Sequence, residues 1–245
     1  MPGPEWLTAR PIAHRGLHDA TCGVIENTPS AVAAAVAAGY GIEVDLQIAA
    51  DGEAMVHHDA VLGRLTEGSG RLDAMTAADL KRVPFKATAD RMLALGDLLD
   101  LIGGRVPLVL ELKSRFDRDL RLCRRAAQTL KPYPGPVAAM SFDPYQMEAM
   151  RDFSPGLPRG VVAQRYHSHP GEPAHQRDRL ATLLRGVRSW PRFMAYNVND
   201  LPATMPLLAR NVFGMPLLAW TVRTQADWHR AERWADQLIF EGIRP

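Results

Sequence analysis

The chain has 245 residues, of which 47% are hydrophobic and 23% charged, and its formal net charge at pH 7 is +2. This composition is ordinary for a globular protein with a sizeable core, and the weak charge without a concentrated basic stripe argues against a nucleic-acid-binding protein. Because only Cys22 and Cys123 are present and no apolar run reaches membrane-spanning length, we expect a soluble cytoplasmic protein without disulfides or an integral membrane segment.

The predicted elements begin with a strand, a helix and a second strand. The run PIAH (residues 11–14) predicts a short strand that ends in polar residues. A helix follows, with Thr28 as its N-cap, Pro29 at its first position and Gly39 as its end. The alternating run GIEVDLQI (residues 41–48) predicts the second strand.

A hairpin and an insertion follow the second strand. The D-G turn after residue 50 predicts a return that carries His57 and His58. Residues 60 to 91 are Gly-rich and polar without a long apolar period, which indicates an insertion on a larger body. Within it, residues 75–83 predict a short helix capped by Thr76.

Strands and helices alternate regularly beyond residue 91. Predicted strands lie at 106–114, 135–142, 159–164, 192–199, 215–222 and 236–240, and predicted helices at 93–104, 116–131, 143–153, 172–187, 201–214 and 224–235. With the first two strands this makes eight, which predicts an α/β protein with a parallel sheet, closed as a single (β/α)8 TIM-type barrel domain over residues 1–245. An open doubly wound sheet is the alternative, although no G-x-G-x-x-G or Walker-type loop follows any strand.

Polar side chains gather at the carboxyl ends of the first three predicted barrel strands, where barrel enzymes have their active sites. They are His14 and Arg15 after the first strand, Glu43 and Asp45 on the second, and Glu111 and Lys113 on one side of the third.

Three of these side chains are carboxylates that can converge in the barrel mouth. Glu43, Asp45 and Glu111 offer hard oxygen donors, which suit a divalent cation such as Mg²⁺ or Ca²⁺. Zinc is less favoured because no cysteine lies near. The alternative is a buried ionic cluster in which Arg15 and Lys113 neutralise the carboxylates, and the spacing alone leaves both interpretations open.

Histidines favour the metal interpretation. His14 stands at the predicted mouth, and only one of His57 and His58 can face it because neighbours on a strand point oppositely. Two histidines beside a metal-bound anion can deliver and remove protons near neutral pH. Arg15 and Lys113 would then hold phosphate oxygens.

Seven motifs in order resemble the glycerophosphodiester phosphodiesterase family. They are IAHRG, ENT, IEVDLQIAADGEAMVHHD, LGRLTEGSG, LELK, SFDP and AWTV, and the likeness runs from about Ile12 to Phe240. The resemblance implies a (β/α)8 barrel with a small inserted subdomain after the second strand. It also implies metal-dependent hydrolysis of glycerophosphodiesters to glycerol 3-phosphate and an alcohol.

The resemblance assigns a role to each polar residue. It implies Glu43, Asp45 and Glu111 as metal ligands, His14 and His58 as the acid–base pair, Arg15 and Lys113 as phosphate contacts, Glu26 and Asn27 as supporting residues, and Trp220 as an aromatic that flanks the glycerol. For Trp220, ordinary packing is an equal alternative. Which histidine is the acid is left open, as are the metal, the alcohol and the oligomeric state.

The chain departs from the family pattern at two rim positions. Arg223 stands where the family commonly has Asn, and Glu241–Gly242 replaces a Thr-Asp pair. These differences bear on substrate choice more than on the reaction. Two other functions stay open beside the main one: a lysophospholipase D-like hydrolase of a lipid phosphodiester, and a non-catalytic sugar-phosphate binder, although every proposed catalytic position is filled.

One stretch has uneven charge. Residues 159 to 192 contain seven arginines against Glu172 and Asp178. A solvated helix face is favoured over an anion-attracting rim. His167 and His169 are interpreted as part of a solvated loop, because an H-x-H pair alone is a weak metal motif.

Overall fold

The structure, a computed structural model, describes residues 3–165 and 188–245. Its strands are β1 (Ile12–His14), β2 (Gly41–Ile48), β3 (Ala54–Val56), β4 (Leu108–Leu112), β5 (Val137–Ser141), β6 (Arg159–Ala163), β7 (Phe193–Asn197), β8 (Leu217–Val222) and β9 (Gln237–Phe240). Its α-helices are α1 (Pro29–Ala38), α2 (Ala77–Leu80), α3 (Leu95–Ile102), α4 (Arg121–Leu130), α5 (Pro144–Phe153), α6 (Thr204–Asn211) and α7 (Gln225–Trp234). None of these helices is long and apolar enough to cross a membrane.

Eight parallel strands close into a ring. The order runs β1-β2-β4-β5-β6-β7-β8-β9, and the ring closes where Ile12 of β1 pairs with Ile239 of β9. Strand β3 lies outside the ring, antiparallel to β2, as the return of the predicted hairpin. The predicted (β/α)8 barrel is therefore confirmed, and the open doubly wound sheet is wrong.

The helix ends follow local sequence in most places. The Thr28 hydroxyl accepts a hydrogen bond from the Ala31 backbone N–H, Pro29 opens α1, and Gly39 ends it with a φ of 75°. This left-handed conformation suits glycine, which has no Cβ to clash. Thr76 caps α2 in the same way.

Helix α4 begins later than the sequence predicts. The sequence predicts a helix over residues 116–131, but α4 starts only at Arg121. The side chain of Asp117 accepts a hydrogen bond from the Asp119 N–H, and Asp119 accepts one from the Arg121 N–H. These local bonds offer the backbone an alternative to the helical pattern and hold the preceding residues in a loop.

Two apolar layers separate the inside of the barrel from its outside. Even-numbered β4 residues such as Leu108 and Leu110 pack with helix residues such as Leu98, whereas Val109 packs with side chains from the other strands. The interior cluster comprises Leu7, Ile12, Val109, Ala138, Met140, Val162, Phe193, Ala195, Leu218 and Ile239. This alternation follows from the period of two along a strand.

The chain between β3 and α3 packs around its own apolar cluster. This cluster comprises Ile25, Ala49, Met55, Leu62, Leu72, Leu80, Phe85, Met92 and Ala94. Its members come from both the barrel side and the 60–91 stretch. The division of the chain into one domain with an insertion at about 60–91 stays a prediction.

The basic stretch from 159 to 192 is described only at its two ends. Arg159 does not lie on a solvated face: it is 5% exposed, and its guanidinium donates to the carbonyls of Ser189 at 2.6 Å and Leu157 at 3.1 Å. The predicted helix 172–187, His167 and His169 lie outside the described residues.

We expect Gly160→Ala to destabilise the barrel. A Cβ at Gly160 would lie 2.3 Å from the ring of Phe193, which is fully buried and cannot move aside freely. Overpacking of this kind costs about 1–3 kcal/mol in the free energy of unfolding, which denaturant titration measures. Gly156→Ala is the matched control, because nothing lies within 4 Å of its added Cβ. Equal stability of the two variants would contradict this account of the interior.

Candidate active site

Three carboxylates meet at the carboxyl end of the barrel. Asp45 on β2 is in register with Glu111 on β4, and Glu43 lies two residues earlier on the same side of β2. One oxygen from each lies within 4.8 Å of the others, and all three residues are buried. The acidic triad, as we call Glu43, Asp45 and Glu111, brings together the three ligands expected from the sequence.

Two cations and an amide hold Asp45. Lys113 Nζ lies 2.8 Å from Asp45 Oδ1 and 2.6 Å from Glu111 Oε1, and Asn27 Nδ2 donates to Asp45 Oδ2 at 2.9 Å. Arg15 Nε lies 3.1 Å from Asp45 Oδ2, without the alignment of a hydrogen bond. Burial alone would raise the pKa of Asp45, but Lys113 and Arg15 outweigh it and hold this pKa below its ordinary range.

The loop that carries Arg15 needs an unusual backbone. Arg15 and Asn27 adopt left-handed conformations with φ of 56° and 58°. Gly16 follows with a φ of 81°, and a Cβ there would lie 2.8 Å from the carbonyl carbon of Ala31. The glycine of the IAHRG motif therefore permits the tight turn that presents Arg15 to Asp45.

Glu43 is the least satisfied of the three carboxylates. Its Oε2 accepts a hydrogen bond from the Arg15 backbone N–H at 3.1 Å, but Oε1 is buried and has no hydrogen-bond partner in the described part of the chain. Burial, and then repulsion by Asp45 and Glu111, raises the pKa of Glu43 well above its ordinary value. Three carboxylates against two cations leave one negative charge, so an all-oxygen cleft with an unpaired oxygen fits a divalent cation. The triad is a candidate metal site.

His14 lies beside the triad at the end of β1. Its Nε2 lies 3.9 Å from Glu43 Oε2, and its Nδ1 lies 2.7 Å from Glu241 Oε2. Burial lowers the pKa of His14, and the hydrogen bond with Glu241 opposes this effect only in part. The ring is therefore neutral near pH 7.

The two histidines of the hairpin diverge, as strand alternation predicts. His57 is 1% exposed and its ring packs 6.3 Å from that of Phe85. His58 is half-buried, its Nδ1 lies 2.8 Å from Asp59 Oδ1, and it lines the same cavity as Lys113. Of the pair, His58 is the one that faces the site.

A chain of alternating charges joins Arg15 to His58. Glu26 accepts from Arg15 and from Arg64, each at 2.7 Å, and Arg64 Nε donates to Asp59 at 2.5 Å. Arg64 was not assigned a role from the sequence, although the motif LGRLTEGSG contains it. This network ties the 60–91 stretch to the polar residues of the barrel.

Aromatic rings form another side of the mouth. Trp220 on β8 packs edge-to-face on Phe142, with the ring centroids 5.5 Å apart. The indole N–H of Trp220 is buried and has no hydrogen-bond partner among the described residues. Packing thus accounts for the ring of Trp220, and its contact with glycerol stays a prediction.

Comparison with known proteins identifies the family. The model of the glycerophosphoryl diester phosphodiesterase family matches residues 14–240. The chain belongs to this family. As in its relatives, the activity is that of a phosphoric diester hydrolase.

Individual relatives of this phosphodiesterase match over nearly their whole length. The glycerophosphodiester phosphodiesterase of Caldanaerobacter subterraneus subsp. tengcongensis is 28% identical over 229 residues, which cover 89% of this chain and 88% of the relative. The structure of an Oleispira antarctica phosphodiesterase in complex with the product sn-glycerol-3-phosphate superposes with a TM-score of 0.78 at 20% identity, covering 94% and 91% of the two chains. A Thermotoga maritima glycerophosphodiester phosphodiesterase has a TM-score of 0.70 at 19% identity, covering 94% and 92%.

Substitutions in the acidic triad should have opposite effects on the metal-free phosphodiesterase. Glu43→Gln removes the carboxyl whose charge is least tolerated, so we expect a higher melting temperature at pH 8. Asp45→Asn leaves Lys113 and Arg15 without their full countercharge and should cost about 3 kcal/mol. Thermal unfolding without metal and with Mg²⁺ or Ca²⁺ measures both, and each variant should lose most of the metal-induced stabilisation of the wild type.

The pH dependence of stability tests the same point. Below pH 4.5, the ordinary pKa of Glu, Glu43 keeps its proton in both the folded and the unfolded state. Above it, the unfolded state releases the proton first, so the metal-free wild type should lose stability as pH rises, and Glu43→Gln should lose less. If Glu43→Gln were as destabilised as Asp45→Asn, the conclusion that the charge of Glu43 is unfavourable in the folded protein would be wrong.

Proposed function

We propose that this phosphodiesterase hydrolyses glycerophosphodiesters with a polar alcohol to glycerol 3-phosphate and the free alcohol, using a divalent metal ion and His14 and His58 for proton transfer. The observation that carries the proposal is the acidic triad with a histidine and two cations at its edge. The Oleispira antarctica relative has the product sn-glycerol-3-phosphate bound, which supports glycerol 3-phosphate as one of the two products.

The acidic triad would hold the metal ion. Its donors are all carboxylate oxygens, which favours Mg²⁺ or Ca²⁺ over softer ions. When such a cation is bound, it polarises the phosphoryl group and offsets the charge that develops on its oxygens.

Arg15 and Lys113 would bind the phosphate. Both lie at the edge of the acidic triad, and burial is outweighed by Asp45 and neighbouring carboxylates, which keeps the pKa of each above its ordinary value. Both therefore remain cationic at any physiological pH. The guanidinium offers a planar fork to two oxygens and the ammonium a compact charge to one.

His14 and His58 would move the protons. One ring removes the proton from the attacking oxygen, and the other protonates the oxygen of the departing alcohol. Each ring has its Nδ1 within 2.8 Å of a carboxylate, Glu241 for His14 and Asp59 for His58. Such a partner fixes the orientation and the tautomer of an imidazole.

A groove beside His58 and Lys113 would receive the alcohol. It has a volume of about 540 Å³, and its charged lining is balanced between Asp59, Asp73, Asp117 and Asp119 and the cations Arg64, Arg71, Lys113 and Arg115. An alcohol with several hydroxyls can donate to the carboxylates and accept from the guanidiniums. The charged lining of the groove therefore supports a polar alcohol as the group that is released.

Alanine in place of either histidine should abolish most turnover. General acid–base catalysis contributes about 10²–10⁴ in rate, so we expect kcat for glycerophosphoglycerol to fall at least about a hundredfold in His14→Ala and in His58→Ala. His229→Ala, on the exposed face of α7, is the control and should match the wild type. Thermal unfolding checks that each variant folds. Near-wild-type kcat in a variant would remove that histidine from the mechanism.

A substrate panel should separate water-soluble glycerophosphodiesters from a lysophospholipid. We expect kcat/KM to be highest for glycerophosphoinositol or glycerophosphoglycerol, at least about tenfold above lysophosphatidylcholine. Released glycerol 3-phosphate is the readout for the first two substrates, and released choline is the readout for lysophosphatidylcholine. EDTA should suppress turnover and added Mg²⁺ or Ca²⁺ should restore it. Preference for the long-chain lipid would favour the lysophospholipase D-like function. Tight binding of glycerol 3-phosphate without turnover of any diester, across several metals, would favour a non-catalytic binder.

A further inference from the structure

We propose that Arg223 and Glu241 form a positioning pair that holds His14 in the tautomer with a proton on Nδ1 and directs Nε2 towards the acidic triad. The inference rests on the proposed function, in which His14 takes part in proton transfer. Neither residue touches the triad itself, so both would act through His14.

Closure of the barrel places Glu241 beside His14. Ala13 on β1 pairs with Phe240 on β9, so the next residue of each strand comes side by side although 227 positions separate them. The backbone N–H of Glu241 also donates to the Val222 carbonyl at 3.0 Å. The carboxylate of Glu241 thus starts from a fixed backbone and reaches His14 Nδ1 at 2.7 Å.

The chemistry of this contact selects one tautomer. An ionised carboxylate only accepts hydrogen bonds. The hydrogen bond from His14 is the largest cause that holds the pKa of Glu241 to about 2, so the side chain is ionised at neutral pH. His14 must then carry its proton on Nδ1. The other ring nitrogen, Nε2, is left without a proton on the side of Glu43, where the substrate phosphate would lie.

Arg223 fixes the carboxylate in turn. Its Nη2 donates at 3.0 Å to Glu241 Oε2, the same oxygen that meets His14. The side chain of Arg223 is about half exposed and follows the end of β8. It reaches the site through this one carboxylate oxygen of Glu241. Because a guanidinium only donates, Arg223 can hold an oxygen in that place but not an amide N–H₂.

Both residues stand where the chain departs from the family pattern. The sequence alone related Arg223 and Glu241–Gly242 to substrate choice, as two separate changes at the rim. In the structure the two side chains contact one another, and Glu241 also contacts His14. The pair therefore acts on the reacting group rather than on the head group.

The test compares kcat and KM in four variants with glycerophosphoglycerol as substrate. Glu241→Ala should lower kcat about tenfold or more while KM changes less than about threefold, since orientation of the ring and not substrate binding is lost. Glu241→Gln should keep kcat at least fivefold above Glu241→Ala, because Arg223 holds the amide oxygen towards Nδ1. In the double variant Glu241→Gln with Arg223→Ala, the glutamine amide is free to rotate its N–H₂ towards His14. The kcat advantage of Glu241→Gln over Glu241→Ala should then disappear. The control is Glu232→Ala, an exposed glutamate of α7, which should leave kcat unchanged.

A measurement without turnover separates this inference from the proposed function. Long-range ¹H–¹⁵N correlation spectra of histidine-labelled protein report which ring nitrogen carries the proton, and His14→Gln assigns the signal. The Nδ1–H tautomer should dominate in the wild type and give way in Glu241→Ala. If no glycerophosphodiester is hydrolysed at all, the proposed function fails while the spectra still test the tautomer.

Three results would overturn the positioning pair. They are an unchanged kcat in Glu241→Ala, equal kcat in Glu241→Gln and Glu241→Ala, and an Nε2–H tautomer of His14 in the wild type. Any of them would reduce Arg223 and Glu241 to an ordinary rim ion pair.

Discussion

Repulsion among three buried carboxylates is the constraint on which the rest of the site depends. Glu43, Asp45 and Glu111 lie within one small cleft, where mutual repulsion and lost hydration both disfavour three negative charges. Lys113 and Arg15 compensate two of them, and they do so mainly at Asp45 and Glu111. The remaining imbalance falls mainly on Glu43, and the pKa of Glu111 is raised as well, so an added positive charge would be stabilised in this cleft.

Charge compensation also extends beyond the acidic triad, through a series of ion pairs. Arg15 is itself held by Glu26, which shares Arg64 with Asp59. Each member of this chain of charges pairs with its neighbours, so Arg64 of the 60–91 stretch is linked to Arg15 of the barrel through Glu26. A displacement of that stretch would therefore alter the charge balance beside His58 as well as the shape of the groove.

The sequence predicts a structural feature correctly wherever that feature depends on a single strand or helix. Strand alternation placed Glu43, Asp45 and Glu111 on one side, and Thr28 and Gly39 bounded a helix. The late start of α4 was missed because side-chain bonds of Asp117 and Asp119 compete with the helix, and periodicity does not register them. The contact of Glu241 with His14 was missed for another reason: it forms only when the first and last strands pair.

That pairing has a consequence for synthesis of the protein. The seam of the ring joins β1, near the start of the chain, to β9, near residue 240. The strands that carry the acidic triad, β2 and β4, are complete by Leu112, whereas His14 lacks its carboxylate neighbour until β9 pairs with β1. Of these polar groups, His14 would therefore be the last to acquire its partner as the chain is made.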